Sequence, residues 1–261
     1  MKTSIMAIGV VLLITLLSGC VSTNSEDNYY EILLEKDDCD PVCKEEYIVL
    51  SNGLILKKLS IEKEIINNEI EIVKIDESKA KEAIEFSQNL EIPSRKNRCI
   101  ECSEYTFFTL NKGELLMFAD TEENTPNEVK QILENSKELF KTGVRQEDFF
   151  IQLVYKKLGQ KTIDYHLFPN GSILYEEFDD GINLTSARVY TIGEEKLKRI
   201  KNLVKPNFFE SESSIVNCYT IGFDYGYLEV KSGSLYNFAW TCGTEDSDAD
   251  ELFNELRKEF G

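Results

Sequence analysis

Six cysteines lie beyond the N-terminal apolar run, and their spacing could support thiol chemistry: Cys39, Cys43, Cys99, Cys102, Cys218 and Cys242. The first four form a Cys-x3-Cys pair and, after residues 44–98, a Cys-x2-Cys pair. Four thiolates in two close pairs match the ligand number of a structural zinc site. The same four could close two disulfides, and the second pair has the spacing of a redox dithiol. The compartment in which the chain resides decides between these alternatives.

The first 20 residues have the layout of an export signal. Lys2 supplies a positive charge, and Ile5–Leu17 contains no charged residue. That run is shorter than the roughly 20 apolar residues that a membrane-spanning helix needs. A small pair, Ser18-Gly19, then precedes Cys20, as at a signal-peptide cleavage site. Leu17-Ser18-Gly19-Cys20 resembles the lipobox of prokaryotic lipoproteins.

The lipobox resemblance implies that a diacylglyceryl group is attached to Cys20 and that cleavage falls just before it. We therefore predict a signal peptide over residues 1–19 and a lipidated tether over residues 20–27. The mature chain would be held on the extracytoplasmic face of the cell membrane by its lipid. The alternative is an ordinary secretory signal whose cleavage leaves Cys20 for a disulfide. Both alternatives export the chain.

Export favours disulfides over free thiols, because disulfides persist in oxidising compartments. Cys218 and Cys242 flank the open ends of a predicted hairpin, and a bridge there would stabilise the fold by roughly 3 kcal/mol. The four cysteines of the two close pairs are expected to form two more bridges, with three pairings open. No metal is predicted. The alternative is a metal-binding or thiol-redox protein that uses those four cysteines.

Residues suited to acid-base catalysis are few. His166 is the only histidine, and histidine is the most common catalyst of proton transfer. It lies in a predicted strand on the face opposite to Tyr165 and Leu167, which predicts a solvent-facing side chain. The sequence has no nucleophile-elbow, phosphate-loop or zinc-protease motif. We therefore predict no catalytic residue, no cofactor and a protein that is not an enzyme.

The acidic segment before the last predicted helix resembles the start of a calcium-binding loop at Asp246, Asp248 and Asp250. Glu251 stands where an EF-hand has its turn-forming glycine, and Arg257 stands where it has its bidentate glutamate. We interpret the acidic cluster instead as residues that stabilise a helix N-terminus.

Two segments match the acceptor motif for N-glycosylation. They are Asn170-Gly171-Ser172 and Asn183-Leu184-Thr185. In an exported chain, Asn170 and Asn183 are therefore candidate glycosylation sites, provided that the host glycosylates.

The charge balance excludes one class of partner. The chain has 47 acidic and 29 basic residues, and its net charge is -18. Nucleic-acid binding requires clustered positive charge that displaces counterions from phosphates. We therefore predict that the protein does not bind nucleic acid.

An internal duplication underlies the arrangement of these residues. Four blocks match in the same order, at offsets of 120, 118, 117 and 120 residues. They are Tyr29-Tyr30 with Phe149-Phe150, Tyr47–Gly53 with Tyr165–Gly171, Ile75 with Ile192, and Tyr105–Ala119 with Tyr225–Ala239. We predict two tandem copies of one fold, over residues 28–142 and 143–261.

Each predicted copy has short strands, a helix, a hairpin and a final helix. The dipeptides Asn52-Gly53 and Asn170-Gly171 are typical of type I′ hairpin turns. Apolar residues at helical spacing predict four helices, the second capped by Asn127 and the fourth by Asp248. They cover Glu77–Leu90, Asn127–Phe140, Glu194–Val204 and Asp248–Phe260.

These elements predict an α+β fold in which each copy is an antiparallel sheet with two helices packed on one face. The order of elements resembles small uncharacterised domains of prokaryotic lipoproteins, a resemblance that implies an architecture and no activity.

The combined features predict a lipid-anchored extracytoplasmic protein that is a non-catalytic binding or interaction module of the cell envelope. Its partners would be the membrane, through Cys20, and an envelope or extracellular protein or a small ligand. In general plan, two acidic α+β repeats are similar to the β-lactamase inhibitory proteins, which would imply an inhibitor-like role.

Overall fold

A computed structural model describes ten stretches of the chain: residues 28–36, 44–60, 68–90, 106–111, 115–120, 126–156, 161–179, 183–204, 225–241 and 248–260. All seven cysteines lie outside these stretches. Within them, no helix is both long enough and apolar enough to cross a membrane.

The first sheet is built from the first half of the chain. Its elements, in order, are β1 (Tyr29–Lys36), β2 (Lys44–Leu50), β3 (Leu54–Ser60), β4 (Asn68–Lys74), α1 (Glu77–Asn89), β5 (Thr106–Asn111), β6 (Leu115–Asp120), α2 (Asn127–Thr142) and β7 (Val144–Arg145). The seven strands are antiparallel in the order β6-β5-β1-β2-β3-β4-β7. The last strand of this sheet, β7, follows α2 and pairs with β4 at the edge of the sheet.

The second sheet has six antiparallel strands in the order β11-β10-β9-β8-β12-β13. Its elements, in order, are β8 (Phe149–Lys156), β9 (Thr162–Leu167), β10 (Ser172–Asp179), β11 (Asn183–Thr191), α3 (Glu194–Leu203), β12 (Tyr225–Ser232), β13 (Leu235–Thr241) and α4 (Asp248–Phe260). Apart from β7, the two halves therefore have the same succession of elements and the same spatial order of strands.

The two sheets pack against each other, and helices cover their outer faces. Ala80 of α1 and Val129 of α2 lie in the core on the outer face of the first sheet. Ile200 of α3 and Leu256 of α4 lie in the corresponding core of the second sheet. A third core fills the layer between the sheets: Tyr29, Ile48, Leu50, Leu54, Leu56, Ile70, Ile72, Phe150, Phe168, Leu174 and Val189. The fold thus has four layers, helices on the outside and two sheets within.

The β2–β3 and β9–β10 hairpins form as predicted, but their turns are not type I′. The Gly53 N–H donates to the carbonyl oxygen of Leu50 at 2.9 Å, and Gly171 N–H donates to that of Phe168 at 3.0 Å. Glycine is therefore the fourth residue of each turn, whereas a type I′ turn would place it third. The φ angles of 83° and 84° at these glycines explain why glycine is required.

All four helices begin at the predicted residues, but the two predicted caps, Asn127 and Asp248, are themselves the first residues of their helices. Asp76 caps α1, since its carboxylate accepts a hydrogen bond from Ser78 N–H at 2.8 Å. Asn127 was predicted to cap α2, but it is the first helical residue. Pro126 takes the cap position and makes no side-chain hydrogen bond. The four helices end within two residues of the predicted positions.

The predicted fold class is confirmed at the level of an α+β protein with antiparallel sheets. The described residues contain two such sheets, neither closed into a barrel, and four helices. One detail of the sequence alignment is wrong. Tyr29 was matched to Phe149, but Tyr29 faces the layer between the sheets and Phe149 faces the helices. An offset of 121 rather than 120 pairs Tyr29 with Phe150, which faces the same layer.

Candidate functional site

Near the β2–β3 and β9–β10 turns, the side chains between the two sheets are apolar. Farther along the same strands, they are polar. The polar residues alternate along their strands with residues that pack against the helices, so they face the opposite sheet. We call them the inter-sheet cluster: Glu31, Glu46 and Lys58 from the first sheet, and Gln152, Asp164, His166, Glu176 and Glu229 from the second. Five carboxyl groups in this set thus accompany one lysine and one histidine.

One part of the cluster is a hydrogen-bonded ion pair that joins the sheets. Lys58 Nζ donates to the carboxylate of Glu229 and, at 3.2 Å, to Oε1 of Gln152. The Tyr236 hydroxyl donates to Oε1 of Glu229 at 2.7 Å. Glu229 is fully buried. Burial works to lower the pKa of Lys58, but Glu229 and Glu46 outweigh it and raise that pKa above its usual value.

The other part of the cluster, which we call the carboxylate-histidine triad, consists of Asp164, His166 and Glu176. Asp164 and His166 are two residues apart on β9 and project from the same face, and Glu176 on β10 is the register partner of Asp164. The Nε2 atom of His166 lies 3.2 Å from Oδ1 of Asp164 and 3.8 Å from Oε2 of Glu176. One potential ligand atom from each residue lies within 4.8 Å of the other two, so the triad could hold a metal ion.

Neighbouring side chains orient both carboxylates of the triad. Gln152 Nε2 donates to Oδ2 of Asp164 at 2.9 Å, and the Tyr29 hydroxyl donates to Oε1 of Glu176 at 2.7 Å. In each carboxylate, one oxygen is therefore held by a hydrogen bond while the other lies near His166 Nε2. The tyrosine comes from the first sheet, so both sheets contribute to the arrangement.

Several polar atoms of the triad lack hydrogen bonds. Across the described part of the chain, four buried side-chain atoms have no hydrogen-bond partner: Thr162 Oγ1, Asp164 Oδ1, His166 Nδ1 and His166 Nε2. Three of these atoms belong to the triad, and His166 is only 3% exposed. Leaving a buried polar group unsatisfied costs about 1–3 kcal/mol, so a cluster of such atoms indicates a functional role.

The electrostatics of the triad are those of a site with excess negative charge. Burial raises the pKa of Glu176 to about 7, although His166 works to lower it. Burial alone would lower the pKa of His166, but Asp164, Glu176 and Glu31 together raise it to about 10. Burial, and then the charge of Glu176, raise the pKa of Glu31 well above its usual value. Burial and acidic neighbours thus favour the protonated forms of Glu176 and Glu31, and the acidic neighbours favour the cationic form of His166.

The two halves place different charges at corresponding positions. Glu46 and Lys58 are register partners on β2 and β3, seven residues before and five after Gly53. Asp164 and Glu176 are register partners on β9 and β10, at the same distances from Gly171. A cation therefore faces a carboxylate in the first hairpin, whereas two carboxylates face each other in the second.

The structure alters the predicted description of His166. Its side chain was expected to face solvent, but it is buried between the sheets, 6.0 Å from the ring of Phe150. The error arose because a polar residue alternating with apolar ones normally marks a solvated face. Here the second face of the strand is covered by another sheet.

Most of the other predicted site residues lie outside the described stretches. The six cysteines proposed for disulfides or metal, and Cys20, lie outside the described residues, as does Asp246. Asn170 is exposed in the β9–β10 turn, where its side chain accepts a hydrogen bond from Ser172 N–H at 3.0 Å. Asn183 is the first residue of β11.

Sequence reasoning missed the inter-sheet cluster apart from His166. A signal for it was present in Tyr47–Leu50 and Ile173–Tyr175, where the strands are apolar on both faces. Such runs are typical of strands buried on both sides. They indicate that polar residues farther along the same strands, including Glu176, are also covered.

No protein-family model matches the chain, and no curated protein sequence matches it significantly.

Proposed function

We propose that this chain is a lipid-anchored, non-catalytic protein of the extracytoplasmic membrane surface that binds a cation between two copies of one α+β fold. The anchor is the lipid on Cys20 implied by the lipobox resemblance. The bound cation is the small ligand of the module.

One observation carries the cation-binding proposal: among the described residues, five carboxyl groups and two cationic side chains make up the inter-sheet cluster. Lys58 forms an ion pair with Glu229, and His166 lies beside Asp164 and Glu176. Burying charge without compensation costs several kcal/mol, and a bound cation would compensate it. The cluster is enclosed between the sheets, since Glu229, Glu176 and His166 are at most 3% exposed. Such enclosure suits retention of an ion better than turnover of a substrate.

The duplication supports the proposal by relating the halves of the cluster. The shared strand order and the matching glycine turns favour two copies of one fold. In that alignment the inner-face positions of Glu31, Glu46 and Lys58 correspond to those of Gln152, Asp164 and Glu176. The two halves differ in how the first strand of each pairs with the later hairpin. Ile32 pairs with Leu110. Its counterpart Leu153 pairs with Leu228, which is not the residue that the alignment matches to Leu110.

Thermal unfolding of the full-length chain in detergent, after chelator treatment, tests the cation-binding function. The panel contains Na⁺, K⁺, Mg²⁺, Ca²⁺, Mn²⁺ and Zn²⁺ as chlorides. At least one cation is expected to raise the unfolding temperature, because an ion that binds only the folded state stabilises it. If no member of the panel raises it, the proposed function is wrong.

The anchor is tested separately by Cys20→Ser expressed in a bacterium. The wild-type chain is expected in the membrane fraction and to incorporate labelled fatty acid, and the variant is expected to lose the label. Retention of the label by the variant would contradict lipidation at Cys20.

A further inference from the structure

The second hairpin carries two acidic side chains at the positions where the first hairpin has an acid and a lysine. In the first hairpin, Lys58 lies across from Glu46, and its charge works to lower the pKa of that carboxyl group. At the corresponding place in the second hairpin, Glu176 lies across from Asp164. Like charges that face each other across a strand pair are destabilising. An ion that replaces the lysine charge would remove this repulsion.

We propose that Asp164, His166 and Glu176 bind a divalent first-row transition-metal ion. This inference rests on the proposed cation-binding function and specifies the class of cation and the three residues that bind it. The donor set, one imidazole nitrogen with two carboxylate oxygens, suits zinc, manganese or iron(II). An imidazole nitrogen disfavours magnesium and calcium, which prefer oxygen ligands only.

The spacing of the ligand atoms fits such an ion. Ligands bound about 2.1 Å from a tetrahedral metal lie roughly 3.4 Å apart. The distance from His166 Nε2 to Asp164 Oδ1 is 3.2 Å, and that from His166 Nε2 to Glu176 Oε2 is 3.8 Å. Coordination of the ion would therefore need small side-chain movements and release of the Nε2 proton of His166 to solvent.

The unsatisfied atoms point to a ligand independently of the acidic charge. Among the described residues, His166 Nδ1 is buried without a hydrogen-bond partner, and His166 Nε2 and Asp164 Oδ1 have only each other as a polar neighbour within hydrogen-bond distance, at 3.2 Å. The hydrogen bonds from Gln152 and Tyr29 occupy the carboxylate oxygens that face away from the histidine. Such outer contacts orient metal-binding carboxylates in known sites.

Two further residues shape the site. The Asp164 side chain is 15% exposed and is the most exposed member of the triad. Glu31 faces the triad from the first sheet, where its charge interacts with Glu176, His166 and Asp164. Glu31 is not one of the three ligand residues, so Glu31→Gln is expected to weaken metal binding less than removal of a triad ligand.

His166 is the only histidine of the chain, so one imidazole signal reports on the site. The experiment uses untagged full-length protein in detergent, labelled with ¹⁵N-histidine and treated with a chelator. Addition of one equivalent of Zn²⁺ is expected to shift the Nε2 resonance, and Co²⁺ is expected to give visible absorption without thiolate charge-transfer bands. Zinc binding with an unchanged imidazole signal would overturn the assignment.

Variants separate the triad from other metal sites. Glu176→Gln keeps the side-chain shape and is expected to weaken Zn²⁺ binding by at least about 100-fold, beyond the usual effect of an outer contact. Glu177→Gln is the matched control, because Glu177 is the next residue of β10 and projects from the opposite face. It should bind Zn²⁺ like the wild type. Asp164→Asn serves as a second ligand variant if Glu176→Gln fails to fold.

The outcomes distinguish a transition-metal site at the triad from the more general proposal that the protein binds a cation. If only Na⁺, K⁺, Mg²⁺ or Ca²⁺ stabilises the protein, cation binding stands and the transition-metal site is refuted. If no cation binds, both are refuted. If replacing Cys39, Cys43, Cys99 and Cys102 by serine abolishes Zn²⁺ binding, while Glu176→Gln does not, the metal belongs to the cysteines and the triad assignment is wrong.

Discussion

Asp164 and Glu176 lie directly across from each other on β9 and β10, and both carboxylates face the layer between the sheets. His166 is the cationic group beside them, with Nε2 within 4 Å of both. Two acidic side chains share one imidazole in this buried layer, and they raise the pKa of His166 to about 10. The predictions on metal binding follow from this relationship, and the others concern the surrounding fold.

Metal binding is expected to stabilise the whole protein measurably. With free Zn²⁺ at about 100 times its dissociation constant, the free energy of unfolding rises by about 2.7 kcal/mol. For a chain of this size, that increase corresponds to an unfolding temperature about 5 to 10 °C higher. Differential scanning calorimetry of the wild type and His166→Gln measures the effect. A zinc-induced increase of the same size in His166→Gln would contradict the role of the histidine.

Lys58→Met is expected to destabilise the protein by about 3–5 kcal/mol, because it removes the cation beside a fully buried carboxylate. Denaturant unfolding monitored by circular dichroism measures the loss. The double variant with Glu229→Gln is expected to recover much of the stability, since the uncompensated charge is then removed.

A double-mutant cycle measures the coupling energy between Lys58 and Glu229. Additive effects of Lys58→Met and Glu229→Gln would show that the two side chains are not coupled, contrary to the ion pair described here.

Replacement of three glycines by alanine is expected to lower the free energy of unfolding by different amounts. A Cβ atom at Gly53 would lie 2.5 Å from the carbonyl oxygen of Ile75, one at Gly171 would lie 3.0 Å from that of Ile192, and one at Gly233 would meet nothing within 4 Å. All three have positive φ angles, so each substitution costs about 1 kcal/mol in backbone strain.

The close contacts add to that strain, and Gly53→Ala should reach a loss of about 2–4 kcal/mol. Gly171→Ala should be intermediate, and Gly233→Ala should remain near the backbone cost alone. Urea unfolding of the three variants tests the ranking. Equal losses would show that the close approach of Gly53 to Ile75 has no energetic effect.

Glu46→Gln is expected to change how stability depends on pH. Burial raises the pKa of Glu46, although Lys58 works to lower it. A carboxyl group with a raised pKa in the folded state binds more protons there than in the unfolded state, so stability falls as pH rises from its ordinary pKa through its folded pKa. The variant lacks this loss. It should match the wild type near pH 4 and be more stable near pH 8.

Urea titrations of the chelator-treated protein at several pH values measure the difference between Glu46→Gln and the wild type. Glu45→Gln is the control, because Glu45 precedes it on β2 and projects from the other face. A stability difference for Glu46→Gln that does not vary with pH would contradict the raised pKa.

Local sequence signals predicted much of the secondary structure. Apolar residues at helical spacing predicted four helices, and Asn-Gly pairs between apolar runs predicted two hairpins. These signals are local because backbone hydrogen bonding and turn geometry depend on neighbouring residues. The turn type was harder to predict, because Gly53 also contacts Ile75, which lies 22 residues away.

By itself, the sequence determined the α+β class, the succession of strands and helices, and the outer apolar faces that bind the helices. The tertiary structure alone decided what covers the opposite faces of the strands. His166 and Asp164 have the alternation of a solvated strand, and only the packing of the second sheet against the first makes them buried. Burial depends on residues more than 100 positions away, such as Tyr29 with its hydrogen bond to Glu176. The contact between the sheets also brings the acidic side chains of the two halves together as a candidate ion-binding site. Removing water from charged groups raises their free energy, and a bound cation would lower it.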